Sequence, residues 1–434
     1  MERKLNAELW DKMHYLFRDY NDRMVHAELR YDFEIDVDIL KTVVLCFFEK
    51  SPVFHSAFKD NHISPCWIVK DYNIDEVVFS YRVEENELDE KINLFLTRSI
   101  ATDSNVQMQI AVFYHGKKSV LCIIENHMCM DGGDFKYFLK ALCKNYNAYA
   151  ENKISPIDFK TGSRSYTRVY EDFTAAEKKL AKNLYKNINT PDEHGFPFTP
   201  DNIRDKSFIA RRKLPQDMLD KIRAAGKKYG ATVNDMLLAS YFFSLYELAR
   251  YDENDSCSIS CAIDLRRHIK DTSHSGVTNH TAWMQCRVPK RGDDIFETLA
   301  YVIQSSNQFK NDRFMGLHGL PLLSLGYKIM PYAASEEIIK IGYANPLLAM
   351  SNIGVMEVEK LALCGHEPYD VFSTGAVKYK PFALLTVTTA RKIITLSMCV
   401  RGNKQDEKIV NFFFSSPLIS RMILPLSIIT SRLP

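Results

Sequence analysis

The sequence lacks an excess of charge of either sign. Its 434 residues carry 56 Lys and Arg against 54 Asp and Glu, a formal net charge of +2. That balance provides no concentrated basic face for a phosphate backbone and argues against nucleic acid as a partner. The short pairs Lys227-Lys228 and Arg266-Arg267 read as solvated or structural. CxxC spacing is missing among the 10 cysteines, which excludes a zinc ribbon or thioredoxin-type site. Cysteines that alternate with strand residues, as in CSISCAI from Cys257 to Ile263, read as small buried hydrophobes in a reducing compartment. No run of 18 apolar residues occurs, so no transmembrane segment is expected. The nearest approach, the stretch from Phe412 to Pro434, is broken by Pro417, Arg421 and Pro425. The N-terminal MERKLNAELWDKM is charged and has no signal-peptide core, so the expectation is a cytoplasmic protein. Fixed-period repeats are also absent.

What is present is ordinary for a globular chain: 46% hydrophobic and 25% charged residues, with length for two or three cores. Alternation from His26 to Ile35 predicts a strand, after which Asp36 caps a helix through VDILKTVVLCFFEK that stops before Pro52. The continuous apolar run Ser119 to Asn126 predicts a strand buried on both faces. Phe135, Phe138, Leu139 and Leu142 recur at helical spacing just beyond. Prolines and a glycine between Asn187 and Asp205 mark a linker. The second half opens with the strand SFIARRKL, then two helices (PQDMLDKIRAAGKKYG and TVNDMLLASYFFSLYELARY) and the strand CSISCAIDL. Strands TAWMQCRV and LLAMSNIGV follow, then a hairpin that turns near Ala390 to Lys392.

The chemistry concentrates in IIENHMCMDGGDF, Ile123 to Phe135. His127 at the end of a rigid strand has the fixed orientation and near-neutral titration that a general base needs. Asp131 can brace the turn that follows, and Gly132 and Gly133 allow close backbone approach and positive φ. Other readings stand beside this one. A lone strand-end histidine is most often structural. His127 and Asp131 at i, i+4 could ligate a metal, although no third ligand is near and Glu125 points to the other strand face. Cys129 could be a nucleophile, although no second histidine is placed in sequence to serve it.

NHMCMDG resembles the HHxxxDG motif of the chloramphenicol-acetyltransferase-like superfamily, which includes condensation domains and alcohol O-acetyltransferases. The resemblance extends through FEIDVDILKTVVLCFFEKSPVFHSAF, GATVNDMLLASYFFSLY, IDLRRHI with Gly276 to Asn279, SNIGV and the last hairpin, over roughly residues 10 to 412. Asn126 replaces the motif's first histidine, and His55 stands where an arginine is common. The resemblance implies a mixed α/β fold of two chloramphenicol-acetyltransferase-like subdomains in a V with a central tunnel. Residues 1–186 would form the first subdomain with the HxxxDG motif, 187–205 the linker and 206–434 the second subdomain. It implies His127 as catalytic base, and Asp131 paired with Arg266 as a structural brace beside Gly132. Asn126, Gly133, Ser351 and Asn352 are candidate oxyanion or substrate contacts, and no site metal is expected. Arg266 as a surface arginine, and Ser351-Asn352 as a strand residue and turn former, remain open.

The implied activity is acyl transfer from a pantetheine thioester to a hydroxyl or amine of a small-molecule acceptor. No tightly bound cofactor is expected. Acyl-CoA or a phosphopantetheine thioester serves as co-substrate, with acyl-CoA the first choice for a chain that shows no appended carrier region. A stand-alone condensation-type enzyme fed by an acyl carrier protein is the alternative, and a non-catalytic relative the third reading.

Overall fold

The apolar run that ends at the motif becomes the strand Lys118–Asn126. In the computed structural model, described for residues 2–61, 63–153, 156–181, 190–270, 277–343 and 346–415, it lies inside a five-stranded sheet. Across that sheet the order is Asp370–Thr374, Met24–Tyr31, Lys118–Asn126, Met108–His115, Val78–Arg82. On one face Leu121 and Ile123 pack with Val43, Val44 and Phe47 of helix Val37–Lys50 and with Phe138, Leu139 and Leu142 of helix Gly132–Ala150. On the other face Val120, Cys122 and Ile124 meet Leu88, Ile92 and Phe95 of helix Leu88–Leu96. Helices on both faces are why this strand reads as a continuous apolar run.

Local signals set several boundaries. The Asp36 side chain accepts the N–H groups of Asp38 and Ile39, which starts helix Val37–Lys50 as expected. The strand expected from His26 to Ile35 spans Met24–Tyr31 and stops short of Ile35, whose N–H is held by the Ser119 hydroxyl at 3.3 Å. Gly132 and Gly133 are the first two residues of helix Gly132–Ala150, and neither has positive φ. The expected positive-φ glycine turn is therefore corrected: Asp131 caps the helix, and the loop is His127 to Met130.

The larger sheet has seven strands in the order Thr281–Val288, Cys257–Asp264, Leu348–Met356, Ala383–Ala390, Ile393–Gly402, Lys378–Tyr379, with Lys206–Lys213 also paired to Ile393–Gly402. Thr232 and Asp235 form a capping box at the start of helix Val233–Ala249. The last hairpin turns at Arg391 and Lys392, with φ of 47° and 65°, the two positive values that a type I′ turn needs.

Two segments cross between the halves. Asp370–Thr374 leaves the second half and pairs antiparallel with Met24–Tyr31, and the chain returns to the larger sheet at Lys378–Tyr379. In the other direction, Leu9, Trp10, Met13 and Leu16 of helix Leu9–Leu16 join the core that holds Leu237, Tyr241 and Leu396. A division at 187–205 therefore does not separate the two sheets cleanly, because which sheet edge a strand joins is a long-range choice without a local signature. Residues 187–189 of the expected linker, Gly276 and the tail from 416 onward lie outside the described residues.

Phe372 of the crossing strand is 3% exposed, packs in the cluster with Ile124, and lies under the Arg211 guanidinium at 4.8 Å. Phe372→Ala should cost about 3–5 kcal/mol of unfolding free energy in a urea titration, since it removes a fully packed aromatic. A loss under about 1 kcal/mol would show that the crossing contributes little to stability.

Candidate active site

The loop is anchored before it presents anything. Asn126 is fully buried: its side chain donates to Gln107 Oε1 (2.7 Å) and accepts from the Met128 N–H (3.1 Å), and its N–H binds the Gln107 carbonyl (2.8 Å). It turns the chain and does not line the cavity described below, so its expected role as a substrate contact is corrected to an anchor. The His127 N–H donates to the carbonyl of Arg23 at 2.8 Å. Arg23 itself sits at φ 63°, a strained conformation for a residue with a β-carbon and one that functional sites accumulate.

The His127 ring is half-buried. Asn279 Nδ2 donates to the carbonyls of His127 (2.8 Å) and Met128 (3.3 Å), so its Oδ1, 3.1 Å from His127 Nδ1, is the acceptor. The proton therefore belongs on Nδ1, and Nε2 carries the lone pair of a base. The ring of His14 stacks on His127 with centroids 4.2 Å apart. Burial lowers the pKa of both rings, and the adjacent His127 lowers His14 further. His127 is thus kept neutral at physiological pH.

Asp131 joins the halves. Its Oδ1 accepts the N–H groups of Gly133 (2.9 Å) and Asp134 (3.0 Å) at the helix start. Its Oδ2 accepts Arg266 Nη1 (3.0 Å) and the His280 N–H (2.6 Å) from the second half. Burial opposes the charge on Asp131, but Arg266 and the backbone donors outweigh it and hold the carboxyl below its ordinary value. Arg266 also stands 2.9 Å from Asp134, whose carboxyl is pushed up by burial and by Asp131. A β-carbon on Gly133 would meet Arg266 Nη1 at 2.9 Å, so the second glycine makes room for the guanidinium, while Gly132 has open space. With its lone pairs committed to these donors, Asp131 is not placed as a metal ligand.

Arg164 adds a second clamp. Its guanidinium donates to the carbonyls of Met128 (3.2 Å), Cys129 (2.6 Å) and Val277 (2.8 Å) and to Asp11 (2.6 Å), on the helix that carries His14. Cys129 is fully buried with its thiol pushed well up by burial, which removes it as a nucleophile.

A cavity of about 190 Å³ lies between the sheets, lined among others by His14, His127, Gly132, Trp283, Ser351 and Lys378. Ser351 faces it from strand Leu348–Met356. Asn352 also borders it, but its side-chain Oδ1 accepts the Gly354 N–H (2.9 Å) at a strand bulge. The Gly133 N–H is consumed by Asp131, which corrects its place as an oxyanion donor and leaves the Gly132 N–H and the Ser351 hydroxyl. His55 lies outside this lining and bonds the Lys70 carbonyl at 2.7 Å. His14, Arg164 and Lys378 carried no sequence signal of a role here. Asn279 closes a quoted segment and could have been singled out as an amide beside the arginine strand.

Asp131→Asn should lower stability by about 3–5 kcal/mol at neutral pH, because Arg266 is left buried without its counter-charge. Since the folded-state pKa of Asp131 is depressed, its contribution is present above the unfolded carboxylate pKa and is lost as pH falls through the folded value. Denaturant titrations of wild type and variant should therefore converge below about pH 4, and a gap independent of pH would contradict the ionic role.

The comparisons agree with this architecture. The first condensation domain of the CDA synthetase aligns with a TM-score of 0.70 at 12% identity, over 98% of this chain and 97% of that one. Polyketide synthase associated protein 5 from Mycobacterium tuberculosis aligns at 0.66 and 13% identity, over 96% and 98%. The TRI3 trichothecene 15-O-acetyltransferase from Fusarium sporotrichioides aligns at 0.66 and 13%, over 98% and 95%. No curated protein matches the sequence. The family profile described as Condensation domain matches residues 13–283, more than half of the sequence and the whole of the segment from His14 through the His127 motif to Asn279. The chain therefore belongs to the condensation-domain family, with its mixed α/β fold.

Proposed function

We propose that this protein is an acyltransferase that moves an acyl group from a pantetheine thioester, acyl-CoA in the first instance, to a hydroxyl or amine, with His127 as general base. The observation that carries the reading is the His127 ring: it borders a cavity between the two sheets with Nδ1 held by Asn279, so that Nε2 is the free basic nitrogen.

In this reading Nε2 takes the proton of the acceptor as its oxygen or nitrogen attacks the thioester carbonyl. The tetrahedral oxyanion meets the Gly132 N–H at the positive end of helix Gly132–Ala150 or the Ser351 hydroxyl. Collapse breaks the C–S bond, and the departing thiolate receives the proton from the His127 imidazolium. The products are an ester or amide and a free thiol. No acyl-enzyme is needed, because both substrates meet in one complex. Asp131 and Arg266 act on the loop and stay off the reacting atoms. A carrier-protein thioester as donor is the second reading, supported by the family to which the chain belongs.

Thiol release from acetyl-CoA and longer acyl-CoAs against a panel of alcohols and amines tests the proposal. His127→Ala should lower turnover by about 10²–10⁴-fold with little change in melting temperature. Full activity in that variant would remove His127 from the chemistry. The base acts in its neutral form and burial holds its pKa down, so kcat/KM should rise with pH through a midpoint below the ordinary histidine value of about 6.5 and then level off. A profile still rising above pH 8 would assign the base elsewhere.

A further inference from the structure

The charges around the cavity do not balance. Its carboxylates, Asp131 and Asp264, both face Arg266, at 3.0 and 3.1 Å. Three further cations line the same space. Lys136 donates to the Ile353 carbonyl at 2.7 Å and forms no ion pair with a carboxylate among the described residues. Arg23 and Lys378 make no side-chain hydrogen bond or ion pair among the described residues, and Arg23 Nε is buried without a partner. The Asp22 carboxyl acts on both through space, but its Oδ1 serves the N–H groups of Met24 (3.0 Å) and Val377 (2.9 Å), and among the described residues it forms no ion pair with either cation.

Lys378 stands on the short strand where the chain returns from the smaller sheet to the larger one. It borders a second cavity of about 40 Å³ that shares Phe17, Asn21 and Trp283 with the first and continues to Leu347 and Phe382. The second cavity's lining is mostly apolar and aromatic, with Asn21 and Ser260 its other polar residues, and no carboxylate among the described residues forms an ion pair with the ammonium. Burial holds the lysine down to about 8, and the nearby Asp22 carboxyl is itself pushed up to about 7 by burial, so neutralisation from within is incomplete. A cation kept half-buried without an ion-pair partner is costly, and a ligand anion would offset that cost.

We infer that the substrate filling this cavity carries a carboxylate on an apolar body, and that Lys378 binds that carboxylate, with Arg23 a second cation lining the same cavity. The inference names a substrate class for the proposed acyl transfer and rests on that reading for the word substrate. The acid can belong to the acceptor or to the acyl chain.

Calorimetric titration of wild type and of His127→Ala separates binding from turnover. One arm compares 3-phenyllactate with 3-phenyllactamide, and the other compares succinyl-CoA with butyryl-CoA. The acidic member of one pair should bind on the order of tenfold more tightly in both proteins. Lys378→Met should abolish that preference and Lys378→Arg should retain it. Preference within the first pair places the acid on the acceptor, and within the second pair on the acyl chain. Equal affinity within both pairs, no detectable binding of either acid, or a preference that survives in folded Lys378→Met overturns the inference. Acid preference without thiol release in any acceptor assay would sink the transferase reading and leave this one standing.

Discussion

Asp131 distributes one carboxylate over two halves of the molecule. One oxygen caps the helix that follows the histidine loop, and the other takes the Arg266 guanidinium and the His280 N–H from the opposite half. The buried charge is tolerable only because four donors converge on it, and its loss leaves Arg266 uncompensated. Gly133 is small because the guanidinium passes over it. Arg164 repeats the device nearby, drawing the Met128 and Cys129 carbonyls, the Val277 carbonyl and Asp11 to one centre. The position of His127 depends on both clamps, since each grips the loop that carries it.

The ring itself is governed by neighbours far away in sequence. Asn279 decides which nitrogen carries the proton, and His14, stacked 4.2 Å away, adds a second neutral imidazole to a half-buried site. Burial keeps both rings in the neutral form, the state a base needs before it acts. The same cavity holds Lys378 and Arg23, which form no ion pair among the described residues. Neutral bases at the centre and unmatched cations to one side give the space a polarity along which a substrate can be oriented.

Much of this was legible before the fold was known. The strand that ends at Asn126, the Asp36 cap and the Arg391-Lys392 turn follow local rules, and the pairing of Asp131 with Arg266 was implied by the family resemblance. Several details resisted. Asn126 looked like a contact and is an anchor, because its amide is spent on Gln107 and Met128. Gly132 and Gly133 looked like a turn and begin a helix, because Asp131 caps them. The crossing strand Asp370–Thr374 resembles any other short apolar segment, and only its partner Met24–Tyr31 makes it part of the smaller sheet.

The sequence alone determined the elements, their caps and the presence of one histidine beside an acid at a strand end, because these depend on residues within a few positions of one another. Tertiary structure decided what surrounds that histidine. His14, Arg164, Asn279 and Lys378 come from four separate stretches of chain, and only the packing of the two sheets, with strands and a helix exchanged between them, brings His14 and Lys378 to the cavity and Arg164 and Asn279 to the loop that carries His127. The tautomer, the neutrality of the ring and the unmatched positive charge all arise from that convergence, since burial and distance, which no local pattern encodes, set the strength of every electrostatic interaction there.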